Sequence, residues 1–375
     1  MKVVLAPDSF KESMSATQAA AAMARGVRSI VPDAKCVEVP MADGGEGTTA
    51  ALVAALGGEW RAIASQDALG RPIEARYGLA GNLAVIEVAA AVGIGLVAPA
   101  DRNLFASSSI GVADLIRDAL DAGATRLIVG LGGSATTDGG AGLLSGLGAR
   151  WLDADSRELP PTPSGLAALN QLDLGRLDPR LNAAAIDLAC DVTNPLLGPD
   201  GAAAVFGPQK GATPEQVPVL DHTLARVADA LVAAGLPDVR ALPGSGAAGG
   251  LGAAFLSLGA TMRRGVEVVA EAAGLAEAIR DADLVLTGEG SLDRQTLSGK
   301  TPSGVAEVAA RYGVPVIAFA GRLGDGADEL VGRGFAAVVP ITSGPCDLDT
   351  ALAEGPVNLE RAVATALRLV GLDLR

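Results

Sequence analysis

Short aliphatic runs recur along the chain, and several are followed at once by glycine. They are Lys2–Pro7, Lys35–Val39, Leu83–Val88, Arg126–Val129, Ala184–Ala189, Ala282–Thr287, Val314–Ala320 and Ala336–Ile341. Most are continuously apolar, not alternating, as expected of strands covered on both faces in a parallel sheet. Between them lie Ala-rich stretches with apolar residues three and four apart. After the first run, Ser15 is placed to cap a helix that continues to about Ile30. In Asp221–Gly235, helical spacing puts Leu224, Val227, Leu231 and Val232 on one apolar stripe. Strand, sharp turn and helix in repetition predict an α/β protein.

The alternation is cleanest at the two ends of the chain. Residues 1–60 and 283–375 read as strand–helix units, whereas 61–282 carry long loops such as the Pro-rich Leu159–Ser164 and the Gly-rich Pro243–Gly252. The expected architecture is therefore two α/β domains. One is a Rossmann-like parallel sheet built from both chain ends (1–60 and 283–375). The second is an inserted α/β domain (61–282), with an active-site cleft between them. No repeat of solenoid length is present.

Composition sharpens this. Of 375 residues 49% are hydrophobic but only 3% aromatic, so the core depends on Ala, Leu and Val at close helix–sheet contact. The net charge of −14 would repel a phosphate backbone or an anionic membrane, and there is no basic run; nucleic acid is excluded as a partner. The longest apolar stretch, Leu83 to Ala98, is interrupted by Glu87 and is shorter than the roughly 20 residues of a membrane span. Asp8 arrives too early for a signal-peptide core. Cys36, Cys190 and Cys346 lie far apart with no CxxC spacing, which suits a reducing compartment. A cytoplasmic location is expected.

The only histidine, His222, sits in the helical stretch just described. Histidine-dependent nucleophile systems and histidine metal sites are thereby disfavoured, leaving carboxylates and lysines as bases. Acids, hydroxyls and glycines gather in five segments, each read as the end of a strand or helix: Pro7–Lys11, Met41–Thr48, Gly132–Gly140, Asp191–Pro195 and Thr287–Asp293. Any one of these is ordinary turn chemistry. Together they point to phosphate oxygens approached by backbone N–H groups, with carboxylates for Mg²⁺, at the strand ends where open α/β sheets bind ligands.

Two segments come close to familiar phosphate motifs. Gly299-Lys300-Thr301 ends like a P-loop, but Arg294 stands where the motif requires glycine. Gly130–Ala135 satisfies G-x-G-x-x-A, with Asp153 near the expected acidic position, which keeps an NAD(P)-dependent oxidoreductase of a small hydroxy acid as an alternative. A cytoplasmic small-anion binding protein is the other.

Taken in order, APDSFKESMSA (Ala6–Ala16), MADGGEGT (Met41–Thr48), GLGGSATTDGGAG (Gly130–Gly142), DVTNPLLGPDGAAAVFGPQKGA (Asp191–Ala212), GSGAAGGLG (Gly244–Gly252) and TGEGSLDRQTLSGKTPSGVA (Thr287–Ala306) resemble the signature segments of the type 1 glycerate kinase family. The resemblance covers essentially the whole chain. One departure is FASSSIG (Phe105–Gly111), where the family tends to a Thr/Tyr-rich turn; serine keeps the hydroxyl and loses the aromatic.

The resemblance implies a kinase using ATP and Mg²⁺ that phosphorylates D-glycerate at its 2-hydroxyl. Phosphoryl transfer asks mainly for positioning and charge neutralisation, and the acidic and glycine-rich segments supply candidates. Lys11, Asp191 and Asp293 are the expected catalytic residues, with Asp191 first choice as base and Asp293 second choice for that role or for Mg²⁺. Ser9, Gly288, Gly290, Ser291 and Lys300 are expected at phosphate. Asp8, Asn194, Arg71 and Arg322 are expected at substrate, with Lys210 as a further carboxylate anchor. Asp43 and Glu46 are the expected metal ligands. A homodimer is allowed by the sequence and not required by it.

Overall fold

The aliphatic runs form strands. A computed structural model describes residues 1–371, so the last four residues of the expected 283–375 segment lie outside the described residues. In chain order the strands are β1 (Lys2–Leu5), β2 (Lys35–Glu38), β3 (Glu59–Gln66), β4 (Pro72–Ala80), β5 (Leu83–Glu87), β6 (Arg126–Gly130), β7 (Arg150–Leu152), β8 (Gln171–Asp173), β9 (Ala185–Ala189), β10 (Thr261–Arg263), β11 (Leu284–Leu292), β12 (Val316–Leu323) and β13 (Ala337–Pro340). By packing, the chain divides into two units. The first comprises Met1–Asp43, Ala50–Gly58 and Arg264–Arg375; the second comprises Gly44–Thr49 and Glu59–Arg263. Residues 264–282, expected in the insert, pack with the first unit, because the helices Gly265–Ala272 and Leu275–Ile279 lie against the helix Thr301–Ala310.

The first unit holds a parallel sheet ordered β13-β12-β11-β1-β2. Its strands come from both ends of the chain. Val3, Leu5, Leu284, Leu286, Ile317 and Phe319 face a layer made by the helices Ala16–Arg28 and Gly355–Val370, through Met23, Val27, Leu359 and Val363. Each such side chain, fully buried, contributes about 1.5–3 kcal/mol. The first helix begins where its cap residue requires. Ser15 Oγ accepts from the Gln18 amide at 3.2 Å while Gln18 Oε1 accepts from the Ser15 amide at 2.9 Å, a reciprocal capping box.

The second unit holds a mixed sheet ordered β10-β9-β6-β5-β4-β3. Strands β5, β6, β9 and β10 are parallel, and β3 and β4 add an antiparallel hairpin at the edge. That hairpin was not among the predicted strands. Charged residues on both of its faces, among them Glu59, Arg61, Glu74 and Arg76, interrupt any apolar run, as a half-exposed edge strand demands. The helix Val217–Ala233 buries Leu224, Val227 and Leu231 as predicted, but Val232 is exposed. At 100° per residue it falls off the stripe that Leu224, Val227 and Leu231 share.

Candidate active site

The sheet of the first unit has a reversal point. From β1 the chain moves to β2 on one side, whereas β11 leads to β12 and β13 on the other. Ligands of open α/β sheets bind at the carboxyl ends of such a pair. The two strands are joined up to that point by the Asp8 amide donating to the Gly288 carbonyl at 2.8 Å and by Thr287 Oγ1 donating to the Ala6 carbonyl at 2.8 Å.

Beyond β1, Asp8 is buried, and both its oxygens are engaged. Oδ1 accepts from the Ser9 amide at 2.6 Å, and Oδ2 accepts from the hydroxyl of the fully buried Thr301. Burial raises its pKa to about 6; the Thr301 bond opposes this and the charge of Asp43 adds to it. Thr301 opens the helix Thr301–Ala310, preceded by Lys300 in extended conformation as its cap. The Lys300 ammonium stands 3.5 Å from Glu289 Oε1 and 3.7 Å from Asp293 Oδ1. Burial pushes Glu289 up to about 7; Lys300 pulls it down and Asp8 pushes it further up. Asp293 is partly committed, since its Oδ1 accepts from the Gln295 amide at 2.8 Å and caps the short turn Arg294–Ser298.

Thr287–Asp293 is not the post-strand loop expected from the sequence, because β11 runs on to Leu292 in register with β12. Gly288, Gly290 and Ser291 are strand residues. A Cβ at Gly288 would fall 2.3 Å from the Phe319 carbonyl oxygen and 3.2 Å from the Phe10 ring, so glycine is what allows the close pass. At Gly290 the nearest atom to such a Cβ, the Lys11 nitrogen, is 3.6 Å away, an ordinary contact. Lys11 lies exposed in a turn closed by Phe10 and Met14 exchanging backbone bonds at 2.9 Å. Arg322, exposed on β12, is the register partner of Ser291. The first unit therefore gathers Asp8, Ser9, Lys11, Asp43, Gly288, Gly290, Ser291, Asp293, Lys300 and Arg322 in its sheet and the loops beside it.

The second unit holds the rest. Its segment Gly44–Thr49 lies across the carboxyl ends of β5, β6 and β9. The Thr49 amide donates to Glu87 Oε1 at 2.8 Å, and burial raises the pKa of Glu87. A Cβ on Gly130 would sit 2.5 Å from the Gly44 carbonyl oxygen, and one on Gly44 would sit 2.9 Å from Ala189. Glu46 is exposed on this segment. Asp191 follows β9, also exposed, and Asn194 spends its amide on the Asp200 carbonyl at 2.8 Å. Arg71 is held in the turn between β3 and β4. Its Nε donates to Asp67 at 2.6 Å and its Nη2 to the Leu96 carbonyl at 3.0 Å.

The segment Gly132–Gly140 is a buried scaffold. Fully buried Asp138 accepts from the Ser109 amide (2.7 Å), the Ser109 hydroxyl (2.8 Å), the Gly140 amide (3.1 Å) and the Gly142 amide (3.0 Å). Ser109 belongs to FASSSIG, so the hydroxyl kept there clamps this segment. Lys210 is buried too, its ammonium donating to Ser134 Oγ at 2.9 Å and to the Thr136 carbonyl at 2.8 Å; burial draws its pKa down to about 7, against the charge of Asp138. The G-x-G-x-x-A match is not realised as a dinucleotide turn. After Gly130 the chain is irregular until the six-residue helix Ala141–Gly146, and Asp153 accepts the amides of Asp155 and Arg157 in a surface turn. The oxidoreductase alternative loses its one structural support.

Glu289, Thr301, Glu87 and Asp138 were not singled out from the sequence. Glu289 carried a usable signal, an acid between two glycines at the end of an aliphatic run. Thr301 stands in the P-loop-like Gly299-Lys300-Thr301, but its bond to Asp8 carried no signal, because the two are distant in sequence. Among the described residues no group of three or more His, Cys, Asp or Glu is arranged to hold a metal by itself. The Asp43 carboxylate, whose charge reaches Asp8, is nonetheless the kind of hard-oxygen ligand that Mg²⁺ takes when phosphates and water complete its shell.

Comparison with known proteins agrees with these motifs. The family model described as the glycerate kinase family matches residues 3–371. The Glycerate 2-kinase of Escherichia coli (strain K12) is 44% identical over 100% of this chain and 99% of its own. The Glycerate kinase of Bacillus subtilis (strain 168) is 45% identical over 98% of each. A crystal structure described as a candidate glycerate kinase 2 of Salmonella typhimurium LT2 superposes with a TM-score of 0.91 at 46% identity, covering 100% of both chains.

Proposed function

The chain belongs to the glycerate kinase family, and from that premise we propose that it transfers the γ-phosphoryl group of ATP to the 2-hydroxyl of D-glycerate, giving 2-phosphoglycerate and ADP. Choice of the 2-hydroxyl is supported by the full-length likeness to the E. coli 2-kinase. Use of ATP with Mg²⁺ is supported by one observation above all: lysine, carboxylates and a helix N-terminus converge at the reversal point of the first unit's sheet.

Each group there has a physical task. The Lys300 ammonium and the N-terminus of the helix Thr301–Ala310 offer positive charge to phosphoryl oxygens. The Ser9 and Ser291 hydroxyls and the backbone at Gly290 offer small polar contacts, Gly288 spends its carbonyl on the Asp8 amide, and Lys11 brings an exposed cation from the first loop. Asp8, bonded at both oxygens, holds Thr301 and so fixes where that helix begins. Mg²⁺, when bound with ATP, neutralises charge on the phosphate oxygens, and Asp43 is the carboxylate of this unit that would hold it. Of the second unit, Glu46 is proposed for Mg²⁺ and Asp191 and Asn194 for glycerate, with Lys210 supporting that unit's loops through the Ser134 hydroxyl and the Thr136 carbonyl because its own ammonium is buried. Arg71 has no such task, being spent on Asp67.

A cytoplasmic location goes with this reading. The three cysteines are free thiols, and among the described residues no helix is long and apolar enough to cross a membrane.

The test is product formation from D-glycerate, ATP and Mg²⁺, coupled through enolase. Signal without added phosphoglycerate mutase supports the 2-kinase. Signal only with mutase makes the product 3-phosphoglycerate, and no product from folded protein refutes the proposal.

A further inference from the structure

Four carboxylates of the first unit are near or within the proposed phosphoryl-transfer site, and their hydrogen bonding separates them. Asp8 has both oxygens occupied, by the Ser9 amide and the Thr301 hydroxyl. Asp293 caps a turn through Oδ1. Asp43 is the proposed metal ligand. Glu289 is different. Its Oε1 has the Lys300 ammonium at 3.5 Å and the Thr296 hydroxyl at a long 3.4 Å, and among the described residues its Oε2 accepts no hydrogen bond. The side chain is mostly buried, with 14% relative exposure, and is held on the strand that flanks the reversal point. A lysine close enough to orient it, but too far to saturate it, leaves a carboxylate oxygen available to a ligand.

We propose that Glu289 is the proton acceptor for the substrate hydroxyl in this kinase, a role the sequence reading assigned to Asp191 or Asp293. The inference rests on the glycerate kinase reading. In the step, the Glu289 carboxylate takes the proton of the hydroxyl, and the oxygen lone pair forms the new bond to the γ-phosphorus. The bond from that phosphorus to the β–γ bridging oxygen breaks, and its electron pair leaves with ADP. Nothing is oxidised or reduced. In a loose transition state the proton moves late, so the carboxylate chiefly orients the hydroxyl before accepting its proton.

The charged surroundings suit that task. Lys300 and Thr296 face Glu289 from the segment after β11, Asp8 faces it from the loop after β1, and Arg322 lies on β12 on the same sheet face. Burial with Asp8 nearby holds the carboxyl at about 7, near working pH, where a base both exists ionised and accepts a proton readily. As pH falls below that value Glu289 protonates and turnover falls with it.

The experiment compares Glu289→Gln, Glu289→Asp and Asp191→Asn with wild type in the enolase-coupled assay, from about pH 5.5 to 9. Glu289→Gln is expected to lower kcat by roughly 10²–10⁴-fold, with KM for ATP and glycerate little changed, and its residual rate is expected to lose the acidic limb near pH 7. Glu289→Asp is expected to keep that limb at a lower rate. Thermal melting and calorimetric ATP binding establish that each variant folds and binds nucleotide. Glu289→Gln retaining kcat within about threefold, or Asp191→Asn abolishing the acidic limb while Glu289→Gln preserves it, overturns the inference. Wild-type protein that forms no product refutes the kinase reading itself and this inference with it, so the two failures are told apart by the wild-type rate.

Discussion

Asp138 offers the most direct test of how the second unit is built. Its carboxylate, fully buried, satisfies three backbone amides and the Ser109 hydroxyl. In Asp138→Ala those four donors lose their acceptor in a place water does not reach. Hydrogen bonds to a charged group contribute about 1.5–3 kcal/mol each. They are not additive, and the variant also escapes the cost of burying a charge, so the net loss is about 3–5 kcal/mol, as for other broken buried charge networks. At about 2–4 °C per kcal/mol for a unit of this size, the melting temperature should fall by roughly 10 °C. Asp138→Asn refines the account. An amide oxygen in the Oδ2 position keeps the Ser109 amide, Ser109 hydroxyl and Gly142 amide, while its NH₂ confronts the Gly140 amide. The expected cost is about 1–3 kcal/mol. Urea unfolding followed by fluorescence reads this well, because Trp151 is fully buried and donates to the Ala141 carbonyl at 3.0 Å, beside the clamp. With two units, separate transitions are fitted separately. A stability within about 1 kcal/mol of wild type for Asp138→Ala, with activity lost, would refute the structural role and make Asp138 a ligand-binding residue.

Three further outcomes follow from particular contacts. The raised pKa of Asp8, about 6 against an ordinary 3.8, means the native protein binds that proton more tightly than the unfolded chain. The corresponding stability is complete below about pH 4 and lost as pH rises through 6, a change of about 3 kcal/mol; denaturation curves of Asp8→Asn should lack this decline, and an unchanged decline would contradict the assignment. Gly130→Ala would place a methyl 2.5 Å from the Gly44 carbonyl oxygen, costing about 1–3 kcal/mol. Faster amide exchange at Gly47 and Thr49 is expected, and exchange at the wild-type rate would show that the segment is not held there. Arg71→Ala should lower the melting temperature through Asp67 yet leave KM for glycerate within about twofold, whereas a large rise in KM at unchanged stability would restore Arg71 as a substrate anchor.

Much of this protein is legible in its sequence, and for definite reasons. Strands buried on both faces must be continuously apolar, so the parallel strands could be read as runs, apart from the three-residue edge strand β10, which is too short and polar. Ser15 and Gln18 sit three residues apart in one helical turn, and a cap of that kind is a local matter. The family, too, is legible, because its signature segments are long and contain many glycines that tight contacts demand. What tertiary structure decided is everything that depends on distant segments meeting. Thr301 reaches Asp8 across almost the whole chain, Asp138 finds its donors on Ser109, and Lys210 is buried against Ser134. β11 continues as strand through its glycines because β12 pairs with it in register to Leu292, with Gly288 passing close to Phe319 and Phe10, which no local propensity encodes. The charge state of Glu289 is likewise not a property of its neighbours in sequence. Burial and the field of Asp8 and Lys300 set it, and those exist only once β1 and β11 lie side by side.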